Sequence, residues 1–251
     1  MDNRVRAWLA ELIGTFAIVF FGAGTVCAVR MPWLTCQPYT DVIAVALASS
    51  LALAVALTFT LNVSGGYLNP AVTLTLWVFK RIDGVTAAGL VGAQLLGAAV
   101  AGGVLRLICG GNEEWLRLSR LGTPHLSSDV FGNHVSFFVL LGGIGIEMVL
   151  GFLYTFAIFG TSIDRRAPRL GGLGAGLMQA VIVLTGFYLT GGSANPARWF
   201  GTVIWEYTSI TLRDRAFTDH PVYWMGPIVG ALLASAIYVK VILPDSESTE
   251  T

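Results

Sequence analysis

Six apolar segments constrain this chain more than any other feature of its sequence, because each is about 20 residues long. A helix of that length spans the roughly 30 Å hydrocarbon core of a bilayer. Backbone that is exposed to lipid must satisfy its own hydrogen bonds, so we expect each segment to be an α-helix. The segments cover residues 7–29, 42–62, 86–109, 136–159, 172–190 and 222–243. The sequence therefore predicts an all-α membrane protein.

The amino-acid composition agrees with this class and argues against others. Hydrophobic residues make up 55% of the 251 residues and charged residues only 12%, whereas a soluble domain is typically about 25% charged. A soluble fold with so little charge would expose large apolar patches. The formal net charge is +0, so nucleic acid is not an expected partner. Cys27, Cys36 and Cys109 have no metal-ligand spacing, and we predict neither a metal nor a cofactor.

One short motif occurs twice, as "GGYLNPAV" at 65–72 and as "GGSANPAR" at 191–198. Each copy begins an apolar piece, 69–79 and 195–205, of about ten residues, which as a helix would cross only half of the hydrocarbon core. Asn is favoured at the N-cap of a helix and Pro at its first position. The Gly-Gly pair before them permits an extended, tightly packed backbone. Each motif therefore predicts the start of a half-length helix.

The two halves of the chain match in order as well as at the motif. An early span of each half carries one glutamate, Glu11 or Glu147, and three spans accompany each short helix. Because three is odd, the second half must enter the membrane inverted relative to the first. We expect residues 1–251 to form a single membrane domain of two inverted repeats, about 7–109 and 136–243, with a disordered polar tail at 244–251.

This inversion brings the starts of the two short helices together near the midplane. Irregular backbone survives at that depth only where it is buried in protein or lines a water-filled cavity. Each helix start carries roughly half a positive charge. The meeting place is therefore expected to repel cations and to tolerate neutral polar molecules or anions.

"SGGYLNPAVTL" and "GGSANPARWFG", in a chain with six apolar spans, resemble the major intrinsic proteins, the family of aquaporins and glycerol facilitators. The resemblance covers about residues 7–242. It implies a right-handed bundle of six transmembrane helices with two re-entrant half-helices. It also implies a passive channel for water and small neutral solutes that excludes protons and cations, and a homotetramer with one pore in each subunit.

The same resemblance implies roles for individual residues. Asn69 and Asn195 would cap the half-helices and donate to passing oxygens, and Glu11 and Glu147 would accept N–H groups of the loops before those helices. A proton relay through the two glutamates is the alternative, and Gln94 would tie to the same loops or simply pack. The motif residues are Asn69, Pro70, Ala71, Asn195, Pro196 and Ala197.

Counting from the motifs gives the four positions of the family's selectivity filter, Ser49, Val183, Gly192 and Arg198. Water-selective members usually carry an aromatic residue at the first position and histidine at the second, and glycerol facilitators bulky aromatics at the first and third. The small residues found here predict a wide filter with one charged wall. A strictly water-selective channel is the alternative. Tyr223 and Trp224 look like an aromatic pair of water channels or belong to an interfacial belt.

Positive charge predicts the orientation and location of the chain. Basic residues cluster beside one set of span ends, which we take as the cytoplasmic face with both termini on it. These residues are Arg4, Arg6, Lys80, Arg81, Arg165, Arg166 and Arg169. We expect an integral protein of the plasma membrane.

Two other function classes remain open from the sequence. Inverted repeats with broken helices also occur in secondary transporters, and a junction or adhesion protein could keep this fold without conduction. An enzyme is not predicted, since no nucleophile–base pair, phosphate loop or metal set is evident. A gate could lie in the segment 110–135.

Overall fold

The computed structural model describes residues 2–34, 38–132, 134–164, 166, 168, 170–209 and 211–243. Over this part of the chain the backbone forms helices and turns and no strand. Cys36, Arg165, Arg169 and the predicted tail at 244–251 lie outside the described residues.

The α-helices differ widely in length. In chain order they are α1 (Asn3–Val29), α2 (Pro38–Ser64), α3 (Pro70–Val78), α4 (Gly84–Cys109), α5 (Glu113–Ser119), α6 (Ser128–Phe131), α7 (Phe137–Ile158), α8 (Leu173–Gly186), α9 (Pro196–Glu206), α10 (Arg213–Ala216) and α11 (His220–Ile237). Short π-helical turns, Phe159–Ile163 and Tyr238–Ile242, extend α7 and α11. Within the described residues, α1, α2, α4, α7 and α11 are long and apolar enough to span a bilayer.

The fifth predicted span, 172–190, forms a shorter helix than expected. Helix α8 has 14 residues and ends at Gly186, which gives about 21 Å of helix at 1.5 Å per residue. The chain then turns, and the amide of Thr190 donates to the carbonyl of Gly186 at 2.9 Å. This turn leads into the second Gly-Gly-x-x-Asn-Pro-Ala loop. Hydropathy stays high through the turn, so the apolar pattern overestimates the length of the helix.

The two halves of the chain are interleaved in space. Helix α1 packs along α4, and α7 packs along α11, while α2 and α8 join the halves. Each half-helix then crosses over, since α9 packs against α4 and α3 packs against α11. The half-helix starts are thereby enclosed by spans of both repeats.

Glycine at matching positions of α4 and α11 permits the close approach of these helices to their partners. A methyl group on Gly97 would lie 2.2 Å from the carbonyl oxygen of Leu12, and one on Gly230 would lie 2.1 Å from that of Met148. Real side-chain carbons cannot approach so closely. Small residues at such contacts are typical of helix packing in membranes.

Large apolar side chains cover the outside of the spans. Along α2 they recur every four residues, as Ile43, Leu47, Leu51, Val55 and Phe59, and all are exposed. Residues four apart lie on one helical face. An exposed apolar face of this length is suited to lipid or to a neighbouring membrane helix.

Candidate functional site

The two Asn-Pro-Ala motifs form matching helix starts. Asn69 has an extended backbone (φ −152°), and its side-chain oxygen accepts the N–H of Ala71 at 2.9 Å. Asn195 does the same for the N–H of Ala197, also at 2.9 Å. Pro follows at the first helical position, where the missing N–H leaves no bond unmade. Helices α3 and α9 then run for only 9 and 11 residues.

The two helix starts are joined directly by their asparagine side chains. Asn69 Nδ2 donates to the carbonyl oxygen of Ala194 at 2.9 Å, and Asn195 Nδ2 donates to that of Leu68 at 2.9 Å. Each bond uses one N–H of an amide that has two. The second N–H of each amide remains available to another acceptor.

The residue before each asparagine has an unusual backbone conformation. Leu68 has a φ of 50° and Ala194 a φ of 49°, in the left-handed region that costs a non-glycine residue roughly 1–2 kcal/mol. This conformation turns the carbonyl groups of Leu68 and Ala194 toward the opposite asparagine. The surrounding hydrogen bonds must therefore offset the strain.

Glu11 and Glu147 supply those bonds from within the spans. The Glu11 carboxylate accepts the N–H groups of Tyr67 at 2.9 Å and of Leu68 at 2.7 Å, and the Ser64 hydroxyl donates to it at 2.6 Å. Both glutamates are fully buried. Each carboxylate replaces the bonding partners that an irregular loop loses at membrane depth.

The second repeat repeats this arrangement closely. Glu147 accepts the N–H groups of Ser193 at 3.0 Å and of Ala194 at 2.7 Å, and the Thr190 hydroxyl at 2.6 Å. Its carboxylate thus fixes the loop that precedes α9.

Gln94 joins the first repeat's network without an equivalent in the second. Its Nε2 donates to Glu11 at 2.7 Å and to the Thr73 hydroxyl at 2.8 Å. It therefore connects α4, the Glu11 carboxylate and the first turn of α3.

Arg198 lies between two cavities. The inner cavity has a volume of about 20 Å³ and is lined by Ile18, Ser49, Leu53, Tyr154, Gln179, Ser193, Asn195 and Arg198. The outer cavity, of about 550 Å³, is lined in part by Val26, His125, Phe187, Gly191 and Arg198. A space of roughly 10–15 Å³ is needed to hold one water, so the inner cavity has room for one water-sized group.

Two side chains that line the inner cavity, Arg198 and Ser49, have polar atoms without a protein partner. Arg198 is only 6% exposed, yet its Nε and Nη1 have no hydrogen-bond partner, and neither does the hydroxyl of Ser49. Gly22 of α1 faces both residues, since a methyl group there would lie 3.2 Å from Ser49 Oγ and 4.0 Å from Arg198 Nε. Buried donors without partners are costly unless a bound molecule accepts from them.

Val183 is a buried residue of α8. Gln179, Val183 and Phe187 are four residues apart, and hence on one face of α8 and its continuation. Gln179 lines the inner cavity and Phe187 the outer one, so Val183 lies between them. Its side chain is 1% exposed and packs in an apolar cluster with Val26 and Val45.

The position of Gly192 requires glycine because of its backbone conformation and its contact with α8, not because the cavity needs the space. Its φ is 57°, and an added methyl group would lie 2.9 Å from the carbonyl oxygen of Ile182. A side chain there would be directed at α8. The absence of a side chain at Gly192 therefore does not by itself widen the path.

The aromatic residues near Arg198 support the second loop. Trp199 stacks on Tyr223, with ring centroids 5.6 Å apart, and the Tyr223 hydroxyl donates to the Thr190 carbonyl at 2.8 Å. Tyr223 is fully buried, so it is not part of an interfacial belt, whereas Trp224 is half-buried against Phe200.

A buried charge cluster holds the 110–135 segment beside the outer cavity. Arg120 Nε donates to Glu206 at 2.7 Å. His125 lies between two carboxylates, with Nε2 2.8 Å from Glu206 and Nδ1 3.1 Å from Asp219. Burial by itself lowers the pKa of the His125 imidazole, but the hydrogen bonds and charges of Asp219 and Glu206 outweigh burial and raise its pKa above the ordinary value.

Several residues at these cavities are absent from the sequence-based prediction. Gly22, Tyr154, Gln179 and His125 carry no motif, and only their partners in space reveal them. A comparison of the two repeats is the one sequence signal that points to Tyr154, because it follows Glu147 by the same seven residues that separate Ile18 from Glu11.

Comparison with known proteins gives a consistent result over nearly the whole chain. The family model described as Major intrinsic protein matches residues 2–238. "Probable aquaporin TIP3-2" of Arabidopsis thaliana is 34% identical over 253 aligned positions, which cover 96% of this chain and 85% of the relative. "Aquaporin-5" of Mus musculus is 32% identical over 245 positions, covering 97% of this chain and 83% of the relative.

A solved structure shows the same fold. The X-ray structure of the aquaglyceroporin from Plasmodium falciparum superposes with a TM-score of 0.79, covers 96% of this chain and 98% of its own, and is 24% identical in sequence.

Proposed function

The chain belongs to the major intrinsic protein family, the aquaporin and aquaglyceroporin channels, which are not enzymes, and we propose that it conducts both water and small neutral solutes of glycerol or urea size. One observation carries this proposal. Arg198 and Ser49 present unpaired polar groups to a small cavity directly beside two joined half-helix starts.

The unpaired donors give a permeating oxygen something to bind. Nε and Nη1 of Arg198 are donors only, so they favour an oxygen atom of water, an alcohol or an amide. Asn69 and Asn195 each keep one N–H beyond the bond to the opposite loop. An oxygen that accepts from both amides turns its own hydrogens away, which interrupts a chain of waters that could pass protons.

Positive electrostatic potential supports the exclusion of cations. The starts of α3 and α9 meet at one place, and each contributes roughly half a positive charge. Arg198 adds a full charge in the same region. A cation would have to shed its water there against this positive potential.

The size of solute that can pass depends on the side chains around Arg198. Ser49 and Val183 are small, so neither side chain places an aromatic ring beside Arg198. Nε and Nη1 of the guanidinium are not anchored to protein, so we expect the Arg198 side chain to give way to a larger neutral solute.

A strictly water-selective channel is the second candidate, and one observation favours it. The inner cavity has a volume of about 20 Å³, close to that of a single water. Side chains must move before a solute as large as glycerol can pass.

We expect transport to be passive. The two glutamates within the spans, Glu11 and Glu147, are each occupied by three or more bonds to the loops or neighbouring side chains. A carboxylate used in this way is a scaffold and has no open position for a coupling ion. The family membership likewise favours a channel over a transporter.

We further propose an orientation of the chain in the membrane and a state of assembly. The salt bridge between Arg4 and Asp83 (3.6 Å) joins the N-terminus to the loop that carries Lys80 and Arg81, and Arg166 bonds the Ile242 carbonyl near the C-terminal end. These contacts support one basic, cytoplasmic face bearing both termini.

We assign the chain to the plasma membrane as a homotetramer of single-domain subunits, each with inverted repeats at about 7–109 and 136–243. Fluorescence imaging of tagged protein and light scattering of the purified protein test the two assignments.

Stopped-flow measurement on reconstituted vesicles tests the solute range. Vesicles with and without the protein are exposed to osmotic gradients of three solutes. Sucrose, which does not cross the membrane, reports water flow, and glycerol and urea report solute entry. Faster glycerol or urea entry in the protein-containing vesicles supports the proposed range. Fast water flow with solute entry at the protein-free rate selects the water-selective candidate. Accumulation of a solute that follows a proton or sodium gradient would contradict a passive channel.

A further inference from the structure

Helices α1 and α4 lie side by side, with the same direction and in register. Trp8 of α1 lies over Gly89 of α4, and a methyl group on Gly24 of α1 would lie 3.3 Å from Cδ2 of Leu105 in α4. These two contacts are sixteen residues apart on both helices. The register therefore extends to the C-terminal ends of α1 and α4, where one further turn reaches a cysteine on each helix.

The two cysteines, Cys27 and Cys109, meet at these helix ends. Cys27 is 2% exposed and Cys109 is fully buried, and both are free thiols in one apolar cluster. Their sulfur atoms contact each other directly. Close approach of the two sulfurs is what an intramolecular disulfide requires.

Helix α5 covers the cysteine pair and separates it from the outer cavity. Trp115 donates its indole N–H to the carbonyl oxygen of Cys27 at 2.7 Å. Ser119, the last residue of α5, contacts the Cys27 sulfur through its hydroxyl and also lines the outer cavity. A small neutral molecule in that cavity is therefore one side chain away from the thiols.

The two thiols have different electrostatic surroundings. Arg106 lies one turn before Cys109, and its guanidinium lies beside Gly110. This positive charge acts on Cys109, which also accepts a hydrogen bond from the Cys27 thiol. Both effects favour the thiolate, the form of cysteine that reacts as a nucleophile, and oppose the preference of a buried site for the neutral thiol. Cys109 is thus the better nucleophile of the pair.

We infer that Cys27 and Cys109 form a redox site that hydrogen peroxide converts to a disulfide between α1 and α4. The Cys109 thiolate attacks one peroxide oxygen, the O–O bond breaks, and the departing hydroxide leaves as water with the proton that Cys109 gave up. Cys109 then carries a sulfenic acid. The Cys27 thiol attacks that sulfur, the S–O bond breaks, and the hydroxide takes the Cys27 proton to form a second water. The two thiols lose two electrons, and the peroxide gains them.

The disulfide would join the C-terminal ends of α1 and α4 covalently. It would close a loop of about 80 residues, and a cross-link of this span stabilises a protein mainly by restricting its unfolded chain. It would also lie against Trp115 and Ser119, and so fix the surface on which α5 rests beside the outer cavity.

The reaction is tested on purified protein in detergent that carries Cys36→Ser, so that Cys27 and Cys109 are its only cysteines. Folded protein is treated with hydrogen peroxide, then unfolded and alkylated, and its peptides are identified by mass spectrometry. We expect alkylation of both cysteines to fall together, a linked peptide pair to appear, and dithiothreitol to restore both thiols. The oxidised protein should also melt roughly 5 °C or more above the reduced protein.

Single variants in the same background separate the roles of the two cysteines. In Cys27→Ser protein, Cys109 should form a sulfenic acid that dimedone traps, whereas in Cys109→Ser protein Cys27 should react at least about tenfold more slowly. Arg106→Gln should slow disulfide formation roughly three- to tenfold, because a smaller fraction of Cys109 is thiolate. Arg117→Gln, at an exposed position of α5, is the matched control and should leave the rate unchanged.

Four results would overturn this site or its mechanism. Thiols that react only after the protein is unfolded would show that peroxide does not reach them. Oxygen addition without a linked peptide would show that the two sulfurs do not pair, and linkage between two chains would show that the disulfide is not the one inferred. An unchanged rate in Arg106→Gln would overturn the assignment of Cys109 as the attacking thiolate. These outcomes do not depend on the solute that the channel conducts, so each would leave the proposed function intact.

Discussion

Asn69 Nδ2 donates to the backbone carbonyl of Ala194 at 2.9 Å, which ties the start of one half-helix to the loop that precedes the other. The two residues are 125 positions apart in the chain. The bond exists because Ala194 has a left-handed φ of 49° that turns its carbonyl toward α3. The reciprocal bond from Asn195 to Leu68 completes the joint between the repeats.

Removal of this joint should destabilise the protein. Asn69→Ala deletes the cap of α3 and leaves the Ala194 carbonyl without its partner. The expected loss in free energy of unfolding is about 2 kcal/mol or more, from a cap worth roughly 0.5–2 kcal/mol and a buried acceptor worth roughly 1–3 kcal/mol. Thermal unfolding in detergent measures it. Asn62→Ala, at an exposed site near the end of α2, is the control, and equal stability of the two variants would contradict the role of the joint.

Glu147→Gln should weaken the second loop. A glutamine has one oxygen acceptor where the carboxylate has two, and its NH₂ group would face the N–H of Ser193 or Ala194. We expect a loss of about 1–3 kcal/mol in stability and a lower water permeability. Glu114→Gln, at an exposed position of α5, should change neither. Unaltered stability together with altered pH dependence of transport would instead support a proton relay.

Arg198→Val should admit cations or protons while neutral permeation continues. The substitution removes the fixed charge at the narrow level but leaves the half-helix starts in place. We expect proton conductance to rise about tenfold or more, equivalent to roughly 1.4 kcal/mol of barrier. Planar-bilayer recording measures it, with Arg117→Val on the exposed side of α5 as the control. Conductance as low as in the unmodified protein would show that Arg198 is not the barrier.

Ser49→Phe should discriminate solutes by size. The added ring enters the inner cavity, where overpacking costs roughly 1–3 kcal/mol. Glycerol and urea permeabilities should fall about tenfold or more, and water permeability should fall less. Leu51→Phe, on the exposed face of the same helix, is the matched control. Equal reduction of all three permeabilities would place the narrowest point elsewhere.

Stability should depend on pH through His125. Because Glu206 and Asp219 raise the pKa of His125 in the folded state, its stabilising effect is complete below the unfolded pKa of about 6.5 and is lost as pH rises through the folded pKa. His125→Gln should therefore lower the melting temperature most in mildly acidic solution, and the difference should shrink at higher pH. Melting curves from about pH 6 to 9 measure this window. His134→Gln, in an exposed part of the same segment, is the control for the substitution, and a pH-independent difference at His125 would contradict the assignment.

The sequence by itself determined the fold class and the family. Long apolar segments predict spanning helices because the bilayer leaves the backbone no other partner, and the all-α fold is confirmed. The start of each half-helix is also encoded locally, since Asn69 and Asn195 bond to an amide only two residues further on. Signals that act within one turn of helix can be read without the tertiary structure.

Only the tertiary structure decided what faces the cavities. Hydropathy did not reveal that α8 ends at Gly186, because the turn that follows remains apolar while its backbone changes direction. Counting from the motifs predicts that Val183 and Gly192 belong to the selectivity filter. In the structure Val183 is buried among other apolar side chains, and any side chain at Gly192 would point toward Ile182. Tyr154, Gln179 and the pairing of His125 with Glu206 likewise depend on the rotation and depth of helices far apart in the chain. Those quantities are set by side-chain packing between helices, which no local pattern of residues specifies.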